Sequence, residues 1–247
     1  MWRHSGEQGV LAVAAVTTFA LVHGAWHGAW CFERLIPALE ARGHRVVAVD
    51  LPCDDAAATF ETYADVVVGA LEAEVDEPVL VGHSLAGLTV PLVAARRPVR
   101  RVVYLCALVP VPGRSFVDQR ELDPDILLPE YQSGLGEVDA QGRRSWVDEV
   151  AARRTLYADC DDRAAADAFR QLRPQAQAPY AEPCALKAFP CTPASYIVCT
   201  DDRLVNPDWS RRVARKRLNA DVIELPGGHS PFLSRPDDLA TLLHDRA

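Results

Sequence analysis

The sequence predicts an α/β domain built on a mostly parallel sheet with helices packed on both faces. Three observations carry this. Six short runs of apolar, largely β-branched residues recur along the chain, apolar at successive positions as in strands buried between helix layers. Helical patterns separate the first four runs, and that alternation implies parallel strands joined by helical crossovers. The chain has 247 residues, 49% of them hydrophobic, which suffices for one domain with a large core.

The elements follow in order. The stretch "MWRHSGEQ" precedes the apolar "VLAVAAV", and residues 1–16 read as an N-terminal extension on a cytoplasmic protein. A weak signal peptide cleaved at Ala12-Val13-Ala14 is the alternative, which would make the protein secreted. Glu7 near the charged region, and the merging of the apolar run into the first strand, favour the extension. Strands are predicted at Thr18–His23, Arg45–Asp50, Pro78–His83 and Arg101–Ala107, with helices at Cys31–Arg42, Thr59–Val75 and Leu85–Arg97. Pro91 deletes a backbone hydrogen bond inside the third helix, so a kink is expected there. Strands at Ser195–Thr200 and Asp221–Pro226 and helices at Asp208–Leu218 and Pro236–Asp245 complete the pattern.

The alternation breaks between Val111 and Pro193, which is rich in Pro, Gly, Asp and Ala. Helix-like pieces occur only at Ser145–Tyr157 and Arg163–Leu172. A segment of ~80 residues is too long for a plain loop. Leaving from the carboxyl end of a strand, it would lie over the ligand crevice of an open α/β sheet. Residues 111–193 are therefore expected to form a helical cap on a core made of 17–110 and 194–247.

Composition excludes several function classes. The net charge of −8 argues against nucleic acid and anionic membranes as partners. The basic stretch Ser210 to Ala220 reads as a solvated helix face. Seven cysteines without a C-x-x-C pair suggest neither a disulfide framework nor a zinc ribbon, and Cys106 and Cys199 read as core residues. No run reaches the ~18 apolar residues of a membrane helix. No H-E-x-x-H occurs. His23 and His27 in "LVHGAWHGAW" are four apart, but Gly24 and Gly28 make a shared helical face improbable, so no metal site is expected.

The chemistry concentrates in "VLVGHSLAG", Val79 to Gly87. A buried strand ends at His83, a helix starts at Leu85, and Ser84 sits on the turn between the small residues Gly82 and Ala86. That is the context of a nucleophile elbow, whose strained central residue exposes its hydroxyl above the sheet. A serine hydroxyl needs a base to take its proton. After Ser84, histidine occurs only at His229 and His244. His229 follows the last strand in "LPGGHSPFLSRP" and is the expected base; His244 falls near the end of the final helix. The orienting acid should follow "SYIVCT", where Asp201 and Asp202 both qualify.

Together HGAW, GHSLAG, CTDDR and GGHSPFLS resemble the α/β-hydrolase superfamily, and within it the branch of plant methylesterases, hydroxynitrile lyases and capped bacterial carboxylesterases. The resemblance runs from about Thr17 to the C-terminus. It implies an α/β-hydrolase fold with six or slightly more strands, and a cofactor-free serine hydrolase that cleaves a carboxylic ester of a small-molecule substrate through an acyl-enzyme. In that family the acid precedes a short apolar turn and a proline, which fits Asp202 with Leu204, Val205 and Pro207. The family's oxyanion hole maps onto the backbone N–H groups of Ala25 and Leu85. Two departures matter. The lyases carry Thr in the oxyanion loop and Lys after the catalytic histidine, where this chain has Ala25 and Ser230, so cyanogenic lyase activity is disfavoured. Cys53 in "DLPCDD" replaces a common glycine. Trp26, His83, Phe116, Tyr131, Trp146 and Tyr157 are the expected pocket lining. Thioester, lactone, amide or carbon–carbon cleavage, and a pure ligand-binding role, are the competing readings; a homodimer is left open. In the doubled tetrapeptide, Gly24 is expected to permit a tight turn, His23 to brace the loop, and Trp30 to anchor the next helix.

Overall fold

The computed structural model describes residues 16–247; the signal-peptide and extension readings of the stretch before Val16 lie outside them. Six strands form one sheet: β1 (Thr18–Val22), β2 (Arg45–Val49), β3 (Val79–His83), β4 (Arg101–Leu105), β7 (Ala194–Cys199) and β8 (Asp221–Leu225). Their spatial order is β2-β1-β3-β4-β7-β8, and every neighbouring pair is parallel. Burial follows position. β1 and β3 are buried at every residue, whereas the edge strands β2 and β8 are partly exposed. This is why the inner strands read as unbroken apolar runs.

The helices differ from expectation at their ends, and proline explains two cases. Instead of one helix from Cys31, a 3₁₀ turn at Ala29–Phe32 is followed by α1 (Leu35–Glu40). Pro37 lies in the first turn of α1, where its missing N–H costs nothing. Likewise the expected kink at Pro91 is a change of helix type: a 3₁₀ turn at Ser84–Leu88 gives way to α3 (Val90–Ala94), with Pro91 again in the first turn. α2 (Phe60–Ala70) starts at a Thr59–Thr62 capping box and stops short of Val75. The Arg97 guanidinium there takes the carbonyls of Leu71 and Glu74, satisfying groups a longer helix would have used. α7 (Pro207–Lys216) carries the basic stretch; its Arg211 and Arg212 pair with Glu224, Asp123 and Asp125. α8 (Pro231–Ser234) and α9 (Pro236–His244) end the chain.

Segment 111–193 is structured. It contains α4 (Phe116–Leu122), α5 (Glu149–Leu156), α6 (Asp162–Gln171), and a two-strand antiparallel ladder of β5 (Arg143–Arg144) and β6 (Gln175–Ala176). Backbone bonds join it to loops after β1, β2 and β7: Arg173 N–H to Trp26 O (2.7 Å), Ala176 N–H to Cys53 O (2.7 Å) and Leu128 N–H to Leu204 O (2.9 Å). All three loops leave the carboxyl edge of the sheet. Among the described residues no helix is long and apolar enough to cross a membrane, and all seven cysteines are free.

One glycine is fixed by space alone. A Cβ on Gly87 would lie 1.9 Å from the Leu108 carbonyl oxygen, and the Leu108 N–H is held by the Ser84 carbonyl at 2.9 Å. Gly87→Ala must therefore push the chain after β4 away from the elbow. The expected cost is about 3 kcal/mol, read as a fall in melting temperature of roughly 10 °C; an unchanged melting curve would contradict this packing.

Candidate active site

Ser84 has φ 52°, a left-handed conformation that costs energy for any residue with a Cβ. Two close approaches hold it. A Cβ on Gly82 would lie 2.8 Å from a Val90 methyl, so glycine lets α3 cross the end of β3. Ala86 is buried as expected, but Gly87 is the position after the serine that has no room for a side chain.

Ser84 Oγ lies 3.0 Å from His229 Nε2, and His229 Nδ1 lies 2.8 Å from Asp202 Oδ2. The Asp202 and His229 side chains are each 1% exposed. The second Asp202 oxygen accepts the N–H groups of Leu204 (2.7 Å) and Val205 (3.1 Å), so the apolar turn after the aspartate is what orients it. With Nδ1–H donating to a carboxylate, the Nε2 lone pair faces the serine hydroxyl. Asp201 does not touch His229. It is exposed and accepts the Gly227 N–H at 3.0 Å, clipping the base of the loop that carries His229. His244 is also remote, paired with His44 at 2.8 Å.

The HGAW loop follows β1. His23 donates Nδ1–H to the Gly24 carbonyl (2.8 Å) and accepts the Leu51 N–H at Nε2 (2.9 Å). Burial lowers its pKa to about 4, so it is a neutral brace. His27 donates Nδ1–H to the Ala25 carbonyl (2.8 Å) and accepts the Tyr157 hydroxyl (3.0 Å). Burial lowers its pKa to about 3. Arg173 adds a bond to the His27 carbonyl (2.9 Å) and an ion pair to Asp50 (3.2 Å). The peptide that carries the Ala25 N–H is thus held through the Gly24 carbonyl by His23, and the next peptide through the Ala25 carbonyl by His27. Among the described residues the N–H groups of Ala25 and Leu85 have no acceptor, and both residues border the same cavity as Ser84. Gly24 serves proximity: a Cβ there would lie 2.7 Å from Ser84 Cβ. The left-handed residue of the loop is Trp26, at φ 64°. Trp30 is half-buried and stacks on His27.

The cavity above Ser84 measures about 540 Å³, within the range of small-molecule sites. Trp26, Phe116 and Tyr131 line it, as expected from the sequence. His83, Trp146 and Tyr157 do not, and each has a physical reason. His83 lies behind the elbow, because neighbouring residues on an extended strand face opposite ways. Its Nε2–H donates to the His229 carbonyl (2.9 Å), and burial holds its pKa well below the usual histidine range. Trp146 packs edge-on against Trp26 at 5.8 Å, one layer out. Tyr157 is fully buried against His27. Sequence reasoning missed Leu108, Arg120, Glu121, Leu127, Arg144, Gln177, Tyr180 and Leu204. One signal was available for two of them: Ser115 and Asp118 form a capping box that opens α4, which carries Phe116, Arg120 and Glu121.

His83, Cys106 and His229 place nitrogen and sulfur atoms within 4.8 Å of one another, a spacing that could suit a metal. Both ring nitrogens of His229 already serve Ser84 and Asp202, and His83 Nε2 and Cys106 Sγ both face the His229 carbonyl. This cluster is a support for the histidine loop.

Residues 19–242 match the alpha/beta hydrolase family model. A carbendazim hydrolyzing esterase from Nocardioides sp. is 30% identical over 244 residues, covering 92% of this chain and 98% of the relative. A pyrethroid hydrolase from Sphingobium wenxiniae is 30% identical over 250 residues, covering 94% and 88%. Methylesterase 2 of Arabidopsis thaliana is 27% identical, covering 90% and 92%. Among solved structures, a polyneuridine aldehyde esterase has a TM-score of 0.78 at 22% identity, over 94% of this chain and 99% of that one, a likeness of fold. A sheet of this order, a serine elbow at the end of its third strand and a family match across nearly the whole described chain agree: the protein belongs to the alpha/beta hydrolase family.

Proposed function

We propose that this protein is a serine hydrolase that cleaves a carboxylic ester of a small organic substrate through an acyl-enzyme. The observation that carries the reading is the unbroken series Ser84–His229–Asp202, at 3.0 and 2.8 Å, whose serine borders a cavity together with Ala25 and Leu85, two residues with backbone N–H groups that have no acceptor among the described residues. The names of the relatives, esterases and hydrolases, point the same way.

In this mechanism Ser84 Oγ attacks the acyl carbon while His229 Nε2 takes its proton. Asp202 stabilises the imidazolium. The N–H groups of Ala25 and Leu85 receive the oxyanion, each contributing on the order of 10²–10³ in rate. His229 then returns the proton to the leaving alcohol, and a water activated by the same histidine releases the acid. Serine and histidine are restored, so the cycle needs no cofactor. Segment 111–193 acts as the cap: it supplies Phe116, Tyr131 and Tyr180 to the cavity wall and so shapes selectivity. Thioesters and lactones would meet the same machinery, and the chain–substrate fit decides among them.

A fluorophosphonate probe tests this reading. It should form a covalent adduct on Ser84, located by peptide mass spectrometry. An intact, folded protein that stays unlabelled would contradict it.

A further inference from the structure

We propose that the cavity selects esters carrying a second, anionic group, a carboxylate in the simplest case, and that Arg144 receives it. This rests on the hydrolase reading above and names the substrate class of that site. Most residues of the cavity wall are apolar or aromatic, yet Arg120 and Arg144 line it against a single carboxylate, Glu121. The wall is thus net positive in a chain whose net charge is −8.

Arg144 is built in. Its Nε–H donates to the Gly136 carbonyl at 2.8 Å, and its own carbonyl accepts the Trp26 indole N–H at 2.9 Å. Its backbone pairs with Gln175 in the β5–β6 ladder. The side chain is half-buried, and among the described residues its two terminal nitrogens have no acceptor and no carboxylate lies within 4 Å of them. Its neighbours differ: Arg143 pairs with Asp139 at 2.9 Å, and Arg173 pairs with Asp50 at 3.2 Å. A guanidinium anchored through Nε, with both Nη groups open on a cavity wall, is a fork for a planar carboxylate. The same cavity reaches Ser84, so one ligand can place its ester at the serine and its anion at Arg144. Arg120, more exposed on α4, adds a second positive charge, and Glu121 opposes it.

The test compares 4-nitrophenyl monoesters of adipic, pimelic and suberic acid with 4-nitrophenyl hexanoate, heptanoate and octanoate. At the best chain length the carboxylate-ended ester should be preferred about tenfold or more in kcat/KM. Rising salt should erode the preference. Arg144→Gln should lower kcat/KM for the monoesters by about 10- to 100-fold, chiefly through KM, and leave the alkanoates within about threefold. Arg144→Lys should fall between, and Glu121→Gln should strengthen the preference. Wild-type protein that favours the alkanoates, or Arg144→Gln that slows both series alike, would overturn the proposal. Turnover of neither series would overturn it too: alone if fluorophosphonate still labels Ser84, together with the hydrolase reading if it does not.

Discussion

Ser84→Ala is expected to abolish ester turnover and leave the fold intact. The substitution removes one oxygen whose partner in the structure is His229 Nε2, so little stabilising contact is lost. The left-handed backbone at this position is imposed by the packing around Gly82 and Gly87 and does not depend on the hydroxyl. In the proposed mechanism the chemical loss is complete, because among the described residues the Ser84 hydroxyl is the hydrogen-bond partner of His229 Nε2. We expect kcat for 4-nitrophenyl acetate to fall by on the order of 10⁵–10⁶, with a melting temperature within about 3 °C of the parent. The residual rate should match what oxyanion donors and binding alone supply. Undiminished turnover would place the nucleophile elsewhere.

The second large effect is Asp202→Asn. The amide can present an N–H toward His229 Nδ1, which stabilises the tautomer with its proton on Nε2 and leaves no lone pair for the serine proton. A fall of about 10⁴ in kcat is expected. Asp201→Asn provides the contrast. Its side chain would still offer an oxygen to the Gly227 N–H, so activity should stay within about tenfold of the parent. Steady-state kinetics on the two variants decide the matter; the reverse order would mean that the buried pair of the structure is not the working one.

How much of this was legible in the sequence depended on the kind of force involved. Strands buried on both faces write their burial directly as apolar runs, and all six stood within a residue or two of their observed limits. Helix limits were less legible. Pro37 and Pro91 restart helices where periodicity alone continues them, and the Arg97 contacts that end α2 come from a distant part of the chain. β5 and β6, two residues each, carry no pattern at all. Ser84 and His229 were readable from residue type, order and local context. Asp202 was separable from Asp201 only through resemblance, because the deciding bonds are backbone N–H groups of Leu204 and Val205. The cavity lining was half legible. Large aromatics in segment 111–193 are apolar whether they face a ligand or the segment's own interior, which is how Trp146 and Tyr157 came to be expected in the pocket. Arg144 gave no signal, since a fixed, unpaired guanidinium is visible only once its neighbours are placed.

The doubled tetrapeptide illustrates the same division. Both histidines are neutral braces of one loop, but only the first half borders the serine. Gly24 packs against Ser84, His23 holds the Gly24 carbonyl of the peptide that carries the Ala25 N–H, and Ala25 borders the cavity. The second half holds the next peptide, through His27 and its bond to the Ala25 carbonyl.

The central claim is that an acyl group passes through Ser84. It is tested most directly by quenching the enzyme in acid during turnover of 4-nitrophenyl acetate and measuring the mass of the intact protein and of its Ser84 peptide. The account predicts an acetyl adduct on Ser84 that accumulates in the first turnover and decays when substrate is exhausted. Full turnover with no adduct on Ser84, or with the acetyl group on another residue, would contradict it.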